Sequence, residues 1–315
     1  MAPTVNPHRI WRDGNFVNWE DATVHVMSHV VHYGSSVFEG IRCYETPAGP
    51  AIFRLAEHMR RFSDSCRIYR MPLTHSLETL TQACVDTVSE NGLPHCYLRP
   101  VALRTGQHMG VFPANAPLEV FIIPWVWGAY LGQAGLSEGV DVCVSSWRRA
   151  APDTFPSLAK AGGNYLSSQL SLMEARINSY SEGIMLDSFG FVSEGSGENL
   201  FVVRDGKMFT SSIGSAILNG ITRDSVITLA REMGIEVVEG DIPREMLYIA
   251  DELFFSGTAV EITPIRSVDR ISIGSGKPGP ISLAIQKEYM GIAKGAIPDR
   301  HGWLTHVPSE VAAGI

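Results

Sequence analysis

The stretch 128–139, GAYLGQAGLSEG, is rich in glycine and follows neither a helical nor a strand period, and it separates two groups of patterned segments. At 315 residues with 45% hydrophobic content, the chain can bury one large core or two smaller ones. A break at this point favours two. The expected organisation is a first domain over 1–127, an interdomain linker over 128–139, and a larger second domain over 140–315.

Both groups mix helix and strand signals, so the expected class is α/β or α+β. Residues 10–17, IWRDGNFV, alternate around Asp13-Gly14, which predicts a hairpin. Leu55, Met59, Phe62, Cys66 and Tyr69 recur at three- and four-residue steps, which predicts an amphipathic helix over 55–70 with Arg60 and Arg61 on its flank. A second helix is expected from Ser76 to Asn91-Gly92, then strands at 96–104 and 118–124. Beyond the break, Val140 to Ser145 alternates as a strand, and a helix follows Tyr165 to about Ser181. Strands are expected at 184–188 and 191–193, a hairpin over 199–210 turning at Asp205-Gly206, and a helix capped by Thr222 and closed by Gly234. A strand over 251–256, a last helix over 281–294 and a frayed tail from Pro308 complete the chain.

The formal net charge is −8, from 25 basic and 33 acidic residues in no long runs, which argues against a nucleic-acid surface. The five cysteines are scattered with no CxxC pair, so neither a disulfide framework nor a zinc site is suggested and a reducing cytoplasm fits. The opening MAPTVNPHRIW has no apolar core of a signal peptide, and the most apolar run, 118–131, is too short and interrupted to span a bilayer. His25, His29 and His32 recur at helical spacing, but no carboxylate completes a metal set, so packing or hydrogen-bonding roles are expected.

Ser157 to Tyr165, SLAKAGGNY, sets Lys160 among small residues, with Pro152 and Pro156 stiffening the approach. Desolvation disfavours an ammonium and makes an amine a better nucleophile, and glycines let backbone crowd whatever it attacks. Alone, the stretch is a weak signal and reads more simply as a loop lysine beside a turn. Three further stretches offer backbone donors or carboxylates: 218–222, LNGIT, leading into a helix; 256–259, SGTA, after a strand; and 193–199, SEGSGEN. Taken singly, the first is more simply an ordinary N-cap. The GxG of the third lacks the last glycine of a dinucleotide fingerprint, and 274–277, GSGK, fails the P-loop spacing. No GxSxG elbow is present. A lysine, a carboxylate, a tyrosine and a phosphate cradle together are the needs of pyridoxal phosphate.

With these pieces assembled, the sequence resembles the class IV aminotransferases of pyridoxal-phosphate fold type IV, most nearly the bacterial branched-chain amino acid aminotransferases. HVMSHVVHYGSSVFEGIRCYE, SSWRRAAPDTFPSLAKAGGNYLSS, SEGSGENLF, LNGITRDSV and SGTAVEITPIRSVD carry the resemblance, in order, over essentially the whole chain. It implies the two-domain fold of D-amino acid aminotransferase. It also implies that Lys160 holds pyridoxal 5′-phosphate covalently and is catalytic. Arg61, the backbone of Ile221 and Thr222 beside Gly220, and the Thr258 hydroxyl would hold the phosphate. Glu194 would face the ring nitrogen, Tyr165 would bond the phenolic oxygen, and Leu218 would pack on a ring face.

The implied activity is ping-pong transfer of the amino group between L-leucine, L-isoleucine or L-valine and 2-oxoglutarate. Phe38, Trp127, Tyr130 and Tyr165 would form an aromatic wall near Gly40 and Arg42, with Arg99 for a distal carboxylate. Tyr97, with Gly257 and the backbone of Thr258 and Ala259, would take the α-carboxylate. In relatives, Tyr33, Met109 and Val111 reach in from a neighbouring subunit, so a homodimer at least is implied, and hexamers are common. D-amino acid and (R)-amine transaminases and aminodeoxychorismate lyases share the lysine and glutamate; YGSSVFEGIR, Tyr97-Leu98-Arg99 and SGTAVEI favour the branched-chain type. The segment 104–117, with His108 and Phe112, departs from the bacterial pattern, which points to room for larger or aromatic side chains.

Overall fold

The computed structural model describes residues 9–107, 109–113, 116–128 and 130–308. His108 and the tail beyond Pro308 lie outside the described residues. The chain divides into two compact units. Residues 1–127, 159–163 and 291–315 form the first, and 128–158 with 164–290 form the second.

In the first unit, β1 (Arg9–Arg12) and β2 (Asn15–Asn18) form the expected hairpin. Asp13 and Gly14 both take positive φ, 44° and 95°, as the tightest hairpin turns require. With β3 (Ser36–Phe38), β4 (Ile41–Thr46), β5 (Gly49–Phe53), β6 (Cys96–Arg104) and β7 (Leu118–Trp125), they build one sheet. Its order is Leu304–His306, β5, β4, β6, β7, β1, β2, with β3 beside β6. Every pair in it is antiparallel. The short α1 (His29–Tyr33) precedes β3. Helices α2 (Leu55–Ile68) and α3 (Leu77–Glu90) pack on each other, and their buried Leu55, Met59, Phe62, Leu80, Cys84 and Val88 join Ile41, Ile52, Leu98 and Ile122 in one core. Ser76 caps α3 by accepting the Thr79 amide at 3.1 Å.

The second unit starts where a linker was expected, yet α4 (Gln133–Glu138) forms there with Gly135 buried. A Cβ on Gly135 would come within 3.1 Å of Val140, so glycine here serves close packing rather than flexibility. Its sheet comprises β8 (Val140–Arg148), β9 (Glu182–Leu186), β10 (Val192–Glu194), β11 (Asn199–Arg204), β12 (Lys207–Ser211), β13 (Val237–Gly240), β14 (Glu252–Gly257), β15 (Glu261–Val268) and β16 (Ile271–Ser272). The order is β10, β9, β8, β15, β14, β11, β12, β13, with β16 on β15. Strands β9 and β15 flank β8 in parallel, and β13 pairs β12 in parallel. Helix α5 (Tyr165–Ile177) packs on β8 and β9, and α6 (Ile221–Glu232) on β13 and β14. A last helix, α7, spans Pro280–Ala293.

Two expectations change. The segment 159–163 and the chain after 290 belong with the first unit rather than with 140–315, because Ala161 bridges Val37 and Leu304–His306 pairs β5. Thr222 is not a cap. Gly220 takes that place with extended backbone (φ −71°, ψ 134°), its carbonyl accepting the Asp224 amide at 3.0 Å, and Thr222 lies in the first helical turn.

Candidate active site

In the first unit, β6 organises the predicted residues. Side chains two apart on a strand share a face, so Tyr97, Arg99 and Val101 look one way while Cys96, Leu98 and Ala102 enter the core. Register extends that face, because Tyr97 lies opposite both Arg42 and Trp125, and Val101 opposite Phe38. The Arg99 guanidinium stands 4.5 Å from the Phe38 ring, 5.6 Å from Tyr97 and 5.4 Å from Trp125. Its buried Nε has no hydrogen-bond partner among the described residues. Trp127 meets Tyr97 edge-on at 4.9 Å and accepts Arg42 Nη1 on its carbonyl at 3.2 Å. A Cβ on Gly40 would overlap the Tyr97 hydroxyl, so glycine makes room for that phenol.

Lys160 lies on the same ground. The Phe38 amide donates to its carbonyl at 3.0 Å, its own amide donates to Ser65 Oγ at 3.0 Å, and Nζ stands 5.1 Å from the Phe38 ring. A Cβ on Gly162 would overlap Ser36 Oγ, so the strip lies close along β3. Arg61, on α2, binds Glu39 through Nε at 2.7 Å and Nη2 at 2.9 Å. Tyr33, Met109 and Val111 form a separate, exposed group. It is tied by His29, whose ring lies 4.6 Å from Tyr33 and whose Nε2 meets the Gly110 carbonyl at 3.1 Å. His32 and His25 likewise serve local hydrogen bonds, to the Val26 carbonyl and from the Met27 amide.

In the second unit, Glu194 ends β10 in the interior. Its Oε1 meets Arg149 Nη2 at 3.0 Å, and its Oε2 accepts Asn199 Nδ2 at 2.9 Å and the Leu218 amide at 3.0 Å. Asn199 also donates to the Leu218 carbonyl at 2.9 Å. A Cβ on Gly220 would overlap Asn199 Oδ1. Glu194, Leu218 and the start of α6 are therefore one piece, and α6 has no side-chain cap. Thr222 is buried in its first turn, where amides point outward with the positive end of the helix dipole. Tyr165 opens α5, and Thr258 and Ala259 follow Gly257 at the end of β14. Burial pushes the Tyr130 phenol up, reinforced by Glu198 and Glu182.

The sequence reading missed Glu39, His58, Arg149 and Asn199. Glu39 and Arg149 stand inside quoted motifs, but a buried ion pair leaves no periodic trace. The nearest signal was a charged residue amid small and aromatic ones in YGSSVFEG and SSWRRAAP.

A lysine on the strip beside β3, with an arginine and aromatic rings near it, and a buried glutamate joined to a glycine-capped helix start suit amino-group chemistry. The family model for class IV amino-transferases matches residues 36–268. The branched-chain-amino-acid aminotransferase of Escherichia coli (strain K12) is 54% identical over 299 residues, 95% of this chain and 97% of the relative. The crystal structure of the Escherichia coli branched-chain amino acid aminotransferase superposes with a TM-score of 0.94 at 53% identity, covering 96% of this chain and all of that one. The branched-chain amino acid aminotransferase from Thermobaculum terrenum, in its PLP form, gives 0.91 at 37% identity, with coverage of 96% and 99%. The chain belongs to the class IV amino-transferase family.

Proposed function

We propose that this chain transfers the amino group of L-leucine, L-isoleucine or L-valine to 2-oxoglutarate, and the reverse, with pyridoxal 5′-phosphate as its cofactor. Near full-length identity to branched-chain enzymes supports the activity. The observation that carries the substrate side is the placing of Arg99, with its unpartnered buried Nε, over the aromatic ring that Lys160 Nζ also approaches. A site that accepts leucine and glutamate in turn needs apolar walls and one cation for the distal carboxylate. Leaving that Nε unmet by protein suits the guanidinium to a substrate anion.

The residues present fit the cofactor. Glu194, held by Arg149, Asn199 and the Leu218 amide, is a fixed buried carboxylate of the kind a pyridine nitrogen needs opposite it. The glycine-capped start of α6, with Gly220, Ile221 and Thr222, suits a phosphate, and by the resemblance Arg61 and the Thr258 hydroxyl would be further donors. When bound, the cofactor supplies an aldehyde for amines and a ring that accepts electrons. Lys160 Nζ would hold it covalently and, once displaced by the substrate amine, would be free to take the proton from the substrate α-carbon; positioned transfer of this kind contributes about 10²–10⁴-fold. By the resemblance, Tyr165 would bond the phenolic oxygen and Leu218 would cover a ring face. Tyr97 and the backbone at Gly257, Thr258 and Ala259 would orient the α-carboxylate, and Phe38, Gly40, Arg42, Trp127 and Tyr130 would bound the side-chain pocket.

We also propose a homodimer at least, with hexamers in reach. Tyr33, Met109 and Val111 are exposed, Val111 at 80%, as residues serving a neighbouring subunit would be in one chain alone. A cytoplasmic setting is supported by five buried free cysteines. Among the described residues, no helix is long and apolar enough to cross a membrane. The first test is the visible spectrum of the purified protein: L-leucine should abolish the bound-cofactor band, and D-alanine should leave it. Loss with D-alanine alone would move the chain to the D-amino acid branch.

A further inference from the structure

Glu39 is fully buried between β3 and β4, and four donors converge on its carboxylate. Oε1 accepts Arg61 Nε at 2.7 Å; Oε2 accepts Arg61 Nη2 at 2.9 Å, His58 Nδ1 at 2.7 Å and the Gly40 amide at 3.2 Å. His58 and Arg61 lie three residues apart on α2, so one helix face presents both. Burial works to raise the Glu39 carboxyl, but Arg61 and then His58 outweigh it and hold it well below the usual range. Burial also pushes the His58 imidazole down, and its Nδ1 faces the carboxylate. A neutral imidazole facing a carboxylate must place its one proton on Nδ1.

A guanidinium offers two bidentate edges, Nε with Nη2 and Nη1 with Nη2. Glu39 occupies the first. We infer that Glu39, itself held by His58, is a positioning residue that turns the second edge of Arg61 toward the cofactor's phosphate. The inference rests on the reading of Arg61 as a phosphate ligand. Glu39 neutralises that arginine's charge, so what it contributes is orientation, and its effect should fall on the phosphate alone.

The test compares dissociation constants of pyridoxal 5′-phosphate and pyridoxal on the full-length protein, stripped of cofactor. Glu39→Gln should narrow the preference for the phosphorylated form by roughly 10- to 100-fold, the worth of one charge-assisted bond, while pyridoxal affinity holds. Equal weakening of both ligands would make Glu39 merely structural and overturn the inference. A widened preference would also overturn it, showing Glu39 to be a competing counter-charge. Arg61→Gln tells the two readings apart, because retention of the full preference there removes Arg61 from the phosphate whatever Glu39 does. If Glu39→Gln fails to fold, the double variant E39Q/R61Q removes both members of the ion pair. It should match Arg61→Gln alone, and a further loss of preference would sink the inference. In wild-type protein, ¹⁵N shifts of His58 should report the Nδ1–H tautomer.

Discussion

Glu182 and Glu198 lie in the interior of the second unit, accepting the Gly183 and Gly197 amides at 2.8 Å each. Glu182 Oε2 and Glu198 Oε1 have no donor among the described residues. Burial pushes both carboxyls up, and for Glu198 the neighbouring Glu182 pushes further, so the fold favours a proton between them. A carboxyl raised above its unfolded value of about 4.3 gives its full stability below that pH and loses it as pH rises through the folded value. Each unit of that rise costs about 1.4 kcal/mol at higher pH. Glu198→Gln should therefore raise the melting temperature more at pH 8 than at pH 5, and an equal shift at both would refute the shared proton. Lys160→Ala should fold and lose transamination, and stopped-flow assays finding full activity would end the mechanism. Glu194→Gln should still bind cofactor but turn over roughly 10²-fold more slowly in single-turnover kinetics. Lys160 and Glu194 were legible because motifs flank them. Their supports, Arg149 and Asn199, were not, since a partner defined by folding leaves no local pattern.

Helices with marked caps and hairpins with Asp-Gly turns were readable because both depend on local chemistry. Asp205 and Gly206 take φ of 50° and 74°, as Asp13 and Gly14 do at the first hairpin. Strands β3, β4, β5, β13, β15, β16 and Leu304–His306 went unread. In β4 and β15 most residues are buried whichever way they point, so no alternation shows, and β3 is only three residues long. Six residues of α4 are likewise too few for a helical period. The start of α6 was misplaced because its cap is a glycine, which carries no side-chain signature. That glycine yields an element-scale prediction. At φ −71° alanine meets no backbone strain, so Gly220→Ala acts through the overlap with Asn199 Oδ1 and thereby on Glu194. Cofactor affinity should fall more than thermal stability, and equilibrium titration beside a melting curve separates the two.

Helix α5 keeps Leu166, Leu170, Met173 and Ile177 exposed at steps of four, three and four, with Leu166 at 64% and Ile177 at 80%. The homodimer proposed above would have in this stripe an apolar face to cover. Leu170→Asp with Ile177→Glu should lower the assembly state in sedimentation without unfolding the chain; an unchanged sedimentation coefficient would exclude the stripe from the interface. In sequence the dimer was an expectation of the resemblance alone, because an exposed and a buried helical stripe look alike in one dimension. The division at residue 127 marks only one of several crossings. Residues 159–163 return to lie along β3, and Leu304–His306 returns to pair β5. A gene fragment encoding residues 1–127 alone would therefore leave β5 without the strand that pairs it and β3 without the strip beside it.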